Sequence, residues 1–294
     1  MTKSEVYLVS ADDRGEGSRR CLKYFPLPDY SGKTVLVKPN FNSADPPPGS
    51  THNDTLDVLL GAVKEANAQR IILGERSGPA EVEEVFRQKG IGALCEKHGA
   101  EFVPFSALSD EDWVVIEQPG LHWQGGLKVA RAVTEAGAVV ATCCLKTHGF
   151  GGVFSSALKL AVGITPKNFN LLHNTKDQRK MIAEINLAYA PDLVIVDAVE
   201  VFTDGGPMEG VRNRANLMLA GSDRVALDAV GLAILKYLGS NAAIMDTPIF
   251  KQEQIARAVE LGLGAASPEE IQIVTDDERS GVVVEKIKAI LNNG

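Results

Sequence analysis

Several features are scarce or missing in this chain, and each absence excludes something. Only four cysteines occur in 294 residues, Cys21, Cys95, Cys143 and Cys144. None stands in a C-x-x-C pair and no ferredoxin spacing is present, so no iron–sulfur cluster is expected from this chain. Free thiols fit a reducing compartment, and a cytoplasmic location is expected. No run of about 18 apolar residues is found, which argues against a transmembrane helix and against a membrane partner. The opening M-T-K-S-E-V-Y-L-V-S has no apolar core of signal-peptide length. Positive charge is also short. The formal net charge is −8, and nucleic acid is not expected as a partner, because phosphate contact needs a basic face. A local basic pocket is still compatible with that balance. Internal repeats and low-complexity tracts are absent as well.

What the chain does have is enough length for one large domain or two small ones, and enough apolar residues, 45%, to bury a core without disulfide or metal staples. Short apolar runs read as strands at Val6–Ser10, Thr34–Val37, Arg70–Leu73, Ala138–Leu145, Leu193–Val196, Leu217–Ala220 and Ile271–Val274. Val, Ile and Leu dominate them with little polar alternation, as in strands covered on both faces. Between them, helical patterns occupy Thr55–Asn67, Ala80–Gln88, Asp177–Tyr189, Arg224–Leu238 and Ile249–Leu261. This alternation predicts an α/β fold: a mostly parallel sheet with flanking helices, built from right-handed βαβ units. The stretch Ser106–Trp123 reads as a small insertion or an edge hairpin, and Phe150–Asn174 as a loop with one short helix near Ser155–Ala161. A single domain over residues 1–294 is expected, or two lobes with a boundary near 105–130 or 175–190. Pro46-Pro47-Pro48-Gly49 must be loop, since three prolines forbid helix and central strand.

Four strands end on a charged residue: Lys38, Glu75, Lys146 and Asp197. Open α/β sheets bind ligands outside the carboxyl ends of their strands, so these four are candidates for one cleft, although strand ends are ordinarily polar. Asn40, just past Lys38, either hydrogen-bonds substrate or makes an Asx turn. Asn53 reads as a helix N-cap with Asp54 in the first turn, which leaves His52 as a ligand or acid/base candidate.

The central motif is Lys146-Thr147-His148-Gly149-Phe150-Gly151-Gly152. In extended geometry Lys146 and His148 point the same way. Gly151 and Gly152 let backbone approach a ligand or present N–H groups to an anion. The order is not that of a phosphate-cradling G-x-x-x-x-G-K-[ST] loop. Lys159 and His173 follow within thirty residues. Three readings fit: an anion-binding loop including Thr147, a metal site using His148 and His173, or a lysine placed for covalent or acid/base work. Asp204-Gly205-Gly206-Pro207 is a turn that lies near the site if Asp197 does. Asp228 sits in a helix apolar nearly all round, so it needs a lysine, a histidine or backbone N–H groups as partner. His98 reads as a residue at a helix end, and Cys143 and Cys144 as packing.

These residues resemble a known family. L-K-T-H at 145–148 with Ala157-Leu158-Lys159, V-K-P-N at 37–40, V-D-A at 196–198, G-G-P-x-x-G at 205–210 and S-D-R-V-A-L-D at 222–228 form an ordered set. Together they resemble the family called domain of unknown function three hundred and sixty-two, over about Val35 to Leu238. The resemblance implies an α/β fold and, in many members, an added ferredoxin segment whose cysteines are absent here. A more distant likeness is to nickel-dependent lactate racemases, carried by His148, Gly149-Phe150-Gly151-Gly152, Lys159, Gly163-Ile164 and His173. It implies a metal or proton-transfer role for His148 and His173 and a cofactor-anchoring role for Lys159. The run departs from that pattern in spacing, in lacking a proline before Gly163, and in the absence of an Asp-Asp-x-Thr-Arg-Pro motif. A shared fold with altered chemistry is the expectation.

The resulting functional expectation is an enzyme acting on a small anionic molecule, a hydroxy or keto acid, by racemisation, isomerisation or redox chemistry. Lys146, His148 and Lys159 would be catalytic. Lys38, Asn40, His52, Thr147, Gly151, Gly152, Gly205 and Gly206 would bind substrate, with Glu75, Asp197 and Asp228 in support. A divalent metal on His148 and His173 is the cofactor considered, and an oligomer is compatible with the sequence. The alternative is a non-catalytic metal- or anion-binding protein linked to redox or iron–sulfur metabolism.

Overall fold

Residues 3–167, 172 and 175–293 are described by a computed structural model. Its strands are β1 (Ser4–Ser10), β2 (Thr34–Lys38), β3 (Arg70–Glu75), β4 (Ala100–Pro104), β5 (Trp113–Ile116), β6 (Leu127–Ala130), β7 (Ala138–His148), β8 (Val153–Ser155), β9 (Leu193–Gly205), β10 (Gly210–Gly221) and β11 (Ile271–Val274). Nine of them form one mixed sheet in the order β11-β1-β10-β9-β7-β2-β3-β4, with β8 paired to β7. The α/β architecture follows from the alternation of apolar runs and helical patterns.

The apolar runs lack polar alternation because both sheet faces are covered. Successive side chains of a strand point to opposite faces. Val35, Val37, Ile71, Leu73, Val140 and Ile195 enter one core, while Leu36, Ile72, Val139, Ala141, Val194 and Val196 enter the other. The first layer is closed by the helices Arg14–Tyr24, Asn53–Glu65, Val82–Lys89 and Ile91–His98, the last two through Val85, Phe86, Ile91 and Cys95. Helices Arg224–Leu238, Glu253–Glu260 and Glu278–Asn293 close the second. Leu36 is fully buried between strand and helix layers; truncating such a leucine to alanine costs about 2–5 kcal/mol.

Several expectations need correction. The strand at Leu217–Ala220 does not continue the parallel set: β10 runs antiparallel to both β9 and β1, whereas the strand at Val6–Ser10 keeps the direction of β9 and pairs in parallel with β11. The cause is the Gly205-Gly206-Pro207 turn, which folds β9 back into β10 as a hairpin instead of a helical crossover. Of the two readings of the stretch 106–123, the small insertion is the one seen: it leads into a separate ribbon of β5 and β6, not an edge of the main sheet. Helix Asn53–Glu65 is capped by His52, whose Nδ1 accepts from the Asp54 N–H at 3.2 Å. Asn53 is instead the first helical residue, and its side chain donates to the Lys89 carbonyl at 2.7 Å. Among the described residues, no helix is long and apolar enough to cross a membrane.

Candidate functional site

The sheet order brings the charged strand ends together. β3, β2, β7 and β9 are consecutive parallel neighbours, so their carboxyl ends open at one end of the sheet. A small cavity of about 80 Å³ lies there. Lys38, Glu75 and Lys146 line it, joined by His148 from the end of β7, Asn40 from the loop after β2, and Lys159.

Lys38 is buried and its ammonium donates to Glu75 Oε2 and to the Pro39 carbonyl, both at 2.7 Å. Burial pushes this amine down from its ordinary pKa, and the Glu75 charge opposes that shift. Gly163 passes directly over the pair. A Cβ on it would collide with Glu75 Oε1 and come within 2.7 Å of Lys38 Nζ.

Lys146 has a structural duty as well as a charge. Its three ammonium protons match three acceptors: Asn40 Oδ1 at 3.1 Å and the carbonyls of Pro48 and Gly49 at 2.6 and 2.5 Å. It thereby ties the proline-rich loop to β7. Burial lowers its pKa too. Arg76, just past Glu75, is spent on carbonyls: Nε donates to Thr165 and Nη2 to Val162, at 3.0 and 2.8 Å.

Lys159 differs from both. It sits in the short helix Ala157–Leu160, and no hydrogen bond or ion pair to its amine occurs among the described residues. Burial, then the nearby Lys146 and Arg76 charges, push its pKa down to about 7. Buried Asp228 supports that helix: its carboxylate accepts from the Ala157 and Leu158 N–H groups, at 2.7 and 3.3 Å, and from Gln254 at 3.1 Å. Its partners are therefore backbone groups and an amide. Gly152 lets Lys159 and His148 share one side of the pocket, since a Cβ there would lie 2.7 Å from Lys159 Cε and 3.2 Å from His148 Nδ1.

Other expected site residues are elsewhere. Thr147 points to the opposite face of β7 from Lys146 and donates to the Phe202 carbonyl at 3.2 Å. His52 is taken up as a helix cap and does not line the cavity. Asp197 is bound by Arg14 at 2.6 Å and also accepts from the Val199 N–H, so it orients Arg14 rather than the lysines. Gly151, Gly205 and Gly206 do not line the cavity either. Gly206 has φ +76°, and its bare Cα allows the hairpin to pack on the Thr147 carbonyl. His98 pairs with Asp57 at 2.6 Å, far from the site in the other helical layer.

A metal centre does not assemble from the described residues. His173 lies outside them, and no group of three or more His, Cys, Asp or Glu is placed to hold an ion among them. The chemistry around His148 opposes one: the neighbouring charges are Lys146, Lys159 and Arg76, and the only carboxylate among the described residues lining the cavity is tied to Lys38. Cys143 and Cys144 reach the cavity floor, but burial raises the Cys143 thiol well above its ordinary value and pushes Cys144 up to about 12. Both stay protonated at neutral pH and are poor ligands or nucleophiles.

Sequence reasoning missed Arg76 and Asn42, which also line the cavity, as does Pro207 of the turn placed near the site. Arg76 follows Glu75 at a strand end and carried the same signal as the residues singled out. A second, larger cavity of about 470 Å³ opens beside the first, with Trp123, Phe150, Leu172 and Met208 in its wall. Nothing in the sequence placed Trp123 there.

These features define an α/β protein with a cationic pocket at the carboxyl ends of its parallel strands. The chain belongs to the family described as domain of unknown function (DUF362), whose model matches residues 35–233. Among the solved structures it resembles is the lactate racemase apoprotein from Thermoanaerobacterium thermosaccharolyticum. The two are 16% identical, with a TM-score of 0.48, and the match covers 98% of this chain and 90% of that one. No curated protein matches the sequence.

Proposed function

We propose that the chain is an enzyme that binds the carboxylate of a small 2-hydroxy acid and transfers a proton at the adjacent carbon. The observation that carries this reading is a charge imbalance. Three cations, Lys38, Arg76 and Lys146, and the amine of Lys159 surround one cavity whose only lining carboxylate among the described residues is Glu75. Glu75 is paired with Lys38, and none of Arg76, Lys146 and Lys159 has an ion-pair partner among the described residues. Uncompensated buried charge is expensive, and an anionic ligand supplies the missing partner.

The size supports a small head group, since about 80 Å³ holds only a few atoms beyond those of water. Lys146 has its donors engaged and would act through its charge. Lys159 and the remaining Arg76 N–H groups would touch the carboxylate or the carbon beside it. With a pKa of about 7, Lys159 is substantially neutral at physiological pH and suited to general-base work. It would take the proton from the carbon next to the carboxylate. The C–H electron pair would pass into the carboxylate as an enediolate, stabilised by Arg76 and the Lys146 charge. A ring N–H of His148 would return a proton to that carbon. Such an isomerisation needs no oxidant or reductant. A purely anion-binding protein would have no use for a depressed amine at this position.

The test is exchange in D2O. A panel of 2-hydroxy acids is incubated with the protein, and loss of the proton at the carbon beside the carboxylate is followed by NMR. Exchange is expected with at least one acid, and Lys159→Met should abolish it. Absence of exchange across the panel, with no binding of oxalate by calorimetry, would overturn the reading.

A further inference from the structure

The larger cavity has a composition opposite to that of the first. Trp123, Phe150, Pro79, Pro166, Leu172 and Met208 give it an apolar wall, and its volume is about 470 Å³. It is not a separate site. Asn42, Arg76, Gly78, His148 and Pro207 line both cavities, so Arg76 and His148 stand at the neck between them. Phe150 is 51% exposed, an unusual position for a large apolar side chain that has an aromatic neighbour in His148, 6.1 Å away ring to ring. Apolar walls of this size beside a few convergent polar groups are the ordinary anatomy of a small-molecule site.

We infer that the substrate is a carboxylate with a bulky apolar tail, an aryl or branched-alkyl acid, its head in the cationic pocket and its tail in the chamber lined by Trp123 and Phe150. This rests on the reading above that the inner pocket takes a carboxylate, and it narrows the substrate class. A three-carbon acid would fill the inner pocket and leave the chamber in contact with water. A phenyl or branched tail removes that contact, which is the source of hydrophobic affinity. The neck residues set the order of groups along the ligand. The reacting carbon lies between head and tail, beside His148, which lines both spaces.

The experiment compares three probes by calorimetry: 2-oxopropanoate, 3-phenyl-2-oxopropanoate, and 3-phenylpropanol, which has the tail without the charge. The arylated acid is expected to bind at least about tenfold tighter than 2-oxopropanoate, within the range a hydrophobic pocket delivers. The alcohol should bind more weakly than the arylated acid. Phe150→Ser, at an exposed position where folding is not at stake, should pull the affinity ratio of the two acids towards one, and Trp123→Ala should do so more strongly. Equal affinity of the two acids for the native protein overturns the inference while leaving the carboxylate pocket standing. Equal binding of the alcohol and the arylated acid also overturns it, because head and tail sites would then not act together. Failure of both acids to bind rejects the underlying carboxylate reading instead.

Discussion

Lys38 and Glu75 form a 2.7 Å ion pair between neighbouring parallel strands, with both side chains almost wholly withdrawn from solvent. Glu75 also accepts from the Phe41 and Arg76 N–H groups at 3.0 and 2.8 Å, so its lone pairs are well used. Removing one partner of a buried pair strands the other charge, at a cost of about 3–5 kcal/mol. Lys38→Met should therefore lower the unfolding free energy by that amount in a urea titration. Replacing both, as Lys38→Met with Glu75→Leu, should recover part of the loss. A single-variant loss below about 1 kcal/mol would show that the carboxylate finds solvent or a proton instead.

Gly163 presses on the same pair, and the prediction there is steric. A methyl group would meet Glu75 Oε1 and Lys38 Nζ, neither of which can retreat without breaking a hydrogen bond. Gly163→Ala should cost about 1–3 kcal/mol, the usual range for overpacking. It should also weaken oxalate binding, because the displaced Lys38 ammonium lines the pocket. Unchanged melting temperature and oxalate affinity together would mean the backbone moves away freely.

Much of this site was legible in the sequence because strand ends announce themselves. An apolar run that stops on Lys38, Glu75 or Lys146 places that residue at the rim of the sheet whatever the order of strands. The order itself was not legible, and it is what makes β3, β2 and β7 neighbours. Asp197 shows the limit of the rule: it ends its apolar run like the others, but Arg14 from a distant helix claims it. His52 departs for a different reason. A histidine can cap a helix with Nδ1, and local hydrogen bonding takes up a residue whose type alone suggests chemistry. Trp123 was unreadable because the ribbon that delivers it is held by tertiary packing, with no periodicity of its own. The hairpin of β9 and β10 was hidden by the two apolar runs, which look the same in parallel and antiparallel pairing.

Asp228 gives a pH-dependent prediction. Burial raises its pKa to about 7, against the lowering effect of the hydrogen bonds it accepts from Leu158, Ala157 and Gln254. The folded state thus holds this proton more tightly than the unfolded chain, where the ordinary value is 3.8. The associated stability is fully present below about pH 4 and is lost as pH rises through about 7, at up to about 1.4 kcal/mol per pH unit in that window. An asparagine side chain at this position would be neutral at every pH and could still accept from the helix N–H groups. The stability of Asp228→Asn relative to the native protein should therefore climb between about pH 4 and pH 7 and level off above that, read from urea unfolding at each pH. A flat difference would mean the carboxylate is already ionised in the fold at the acid end of that range.

Lys159 supplies the sharpest test of the chemistry, because it separates charge from basicity. Its amine must be neutral to accept a proton, so kcat/KM for exchange should rise about tenfold per pH unit below a pKa near 7 and level off above it. The substrate carboxylate is ionised throughout that range and adds no limb of its own. Arginine keeps the positive charge but cannot give up its proton at any working pH. Lys159→Arg should accordingly retain oxalate affinity within a few-fold while exchange falls by about 10²–10⁴, the span attributed to general-base catalysis. A limb near the ordinary lysine value of 10.5 would show that the pocket does not depress this amine. Exchange that survives in the arginine variant would assign the base to another residue, and His148 would be the one to replace next.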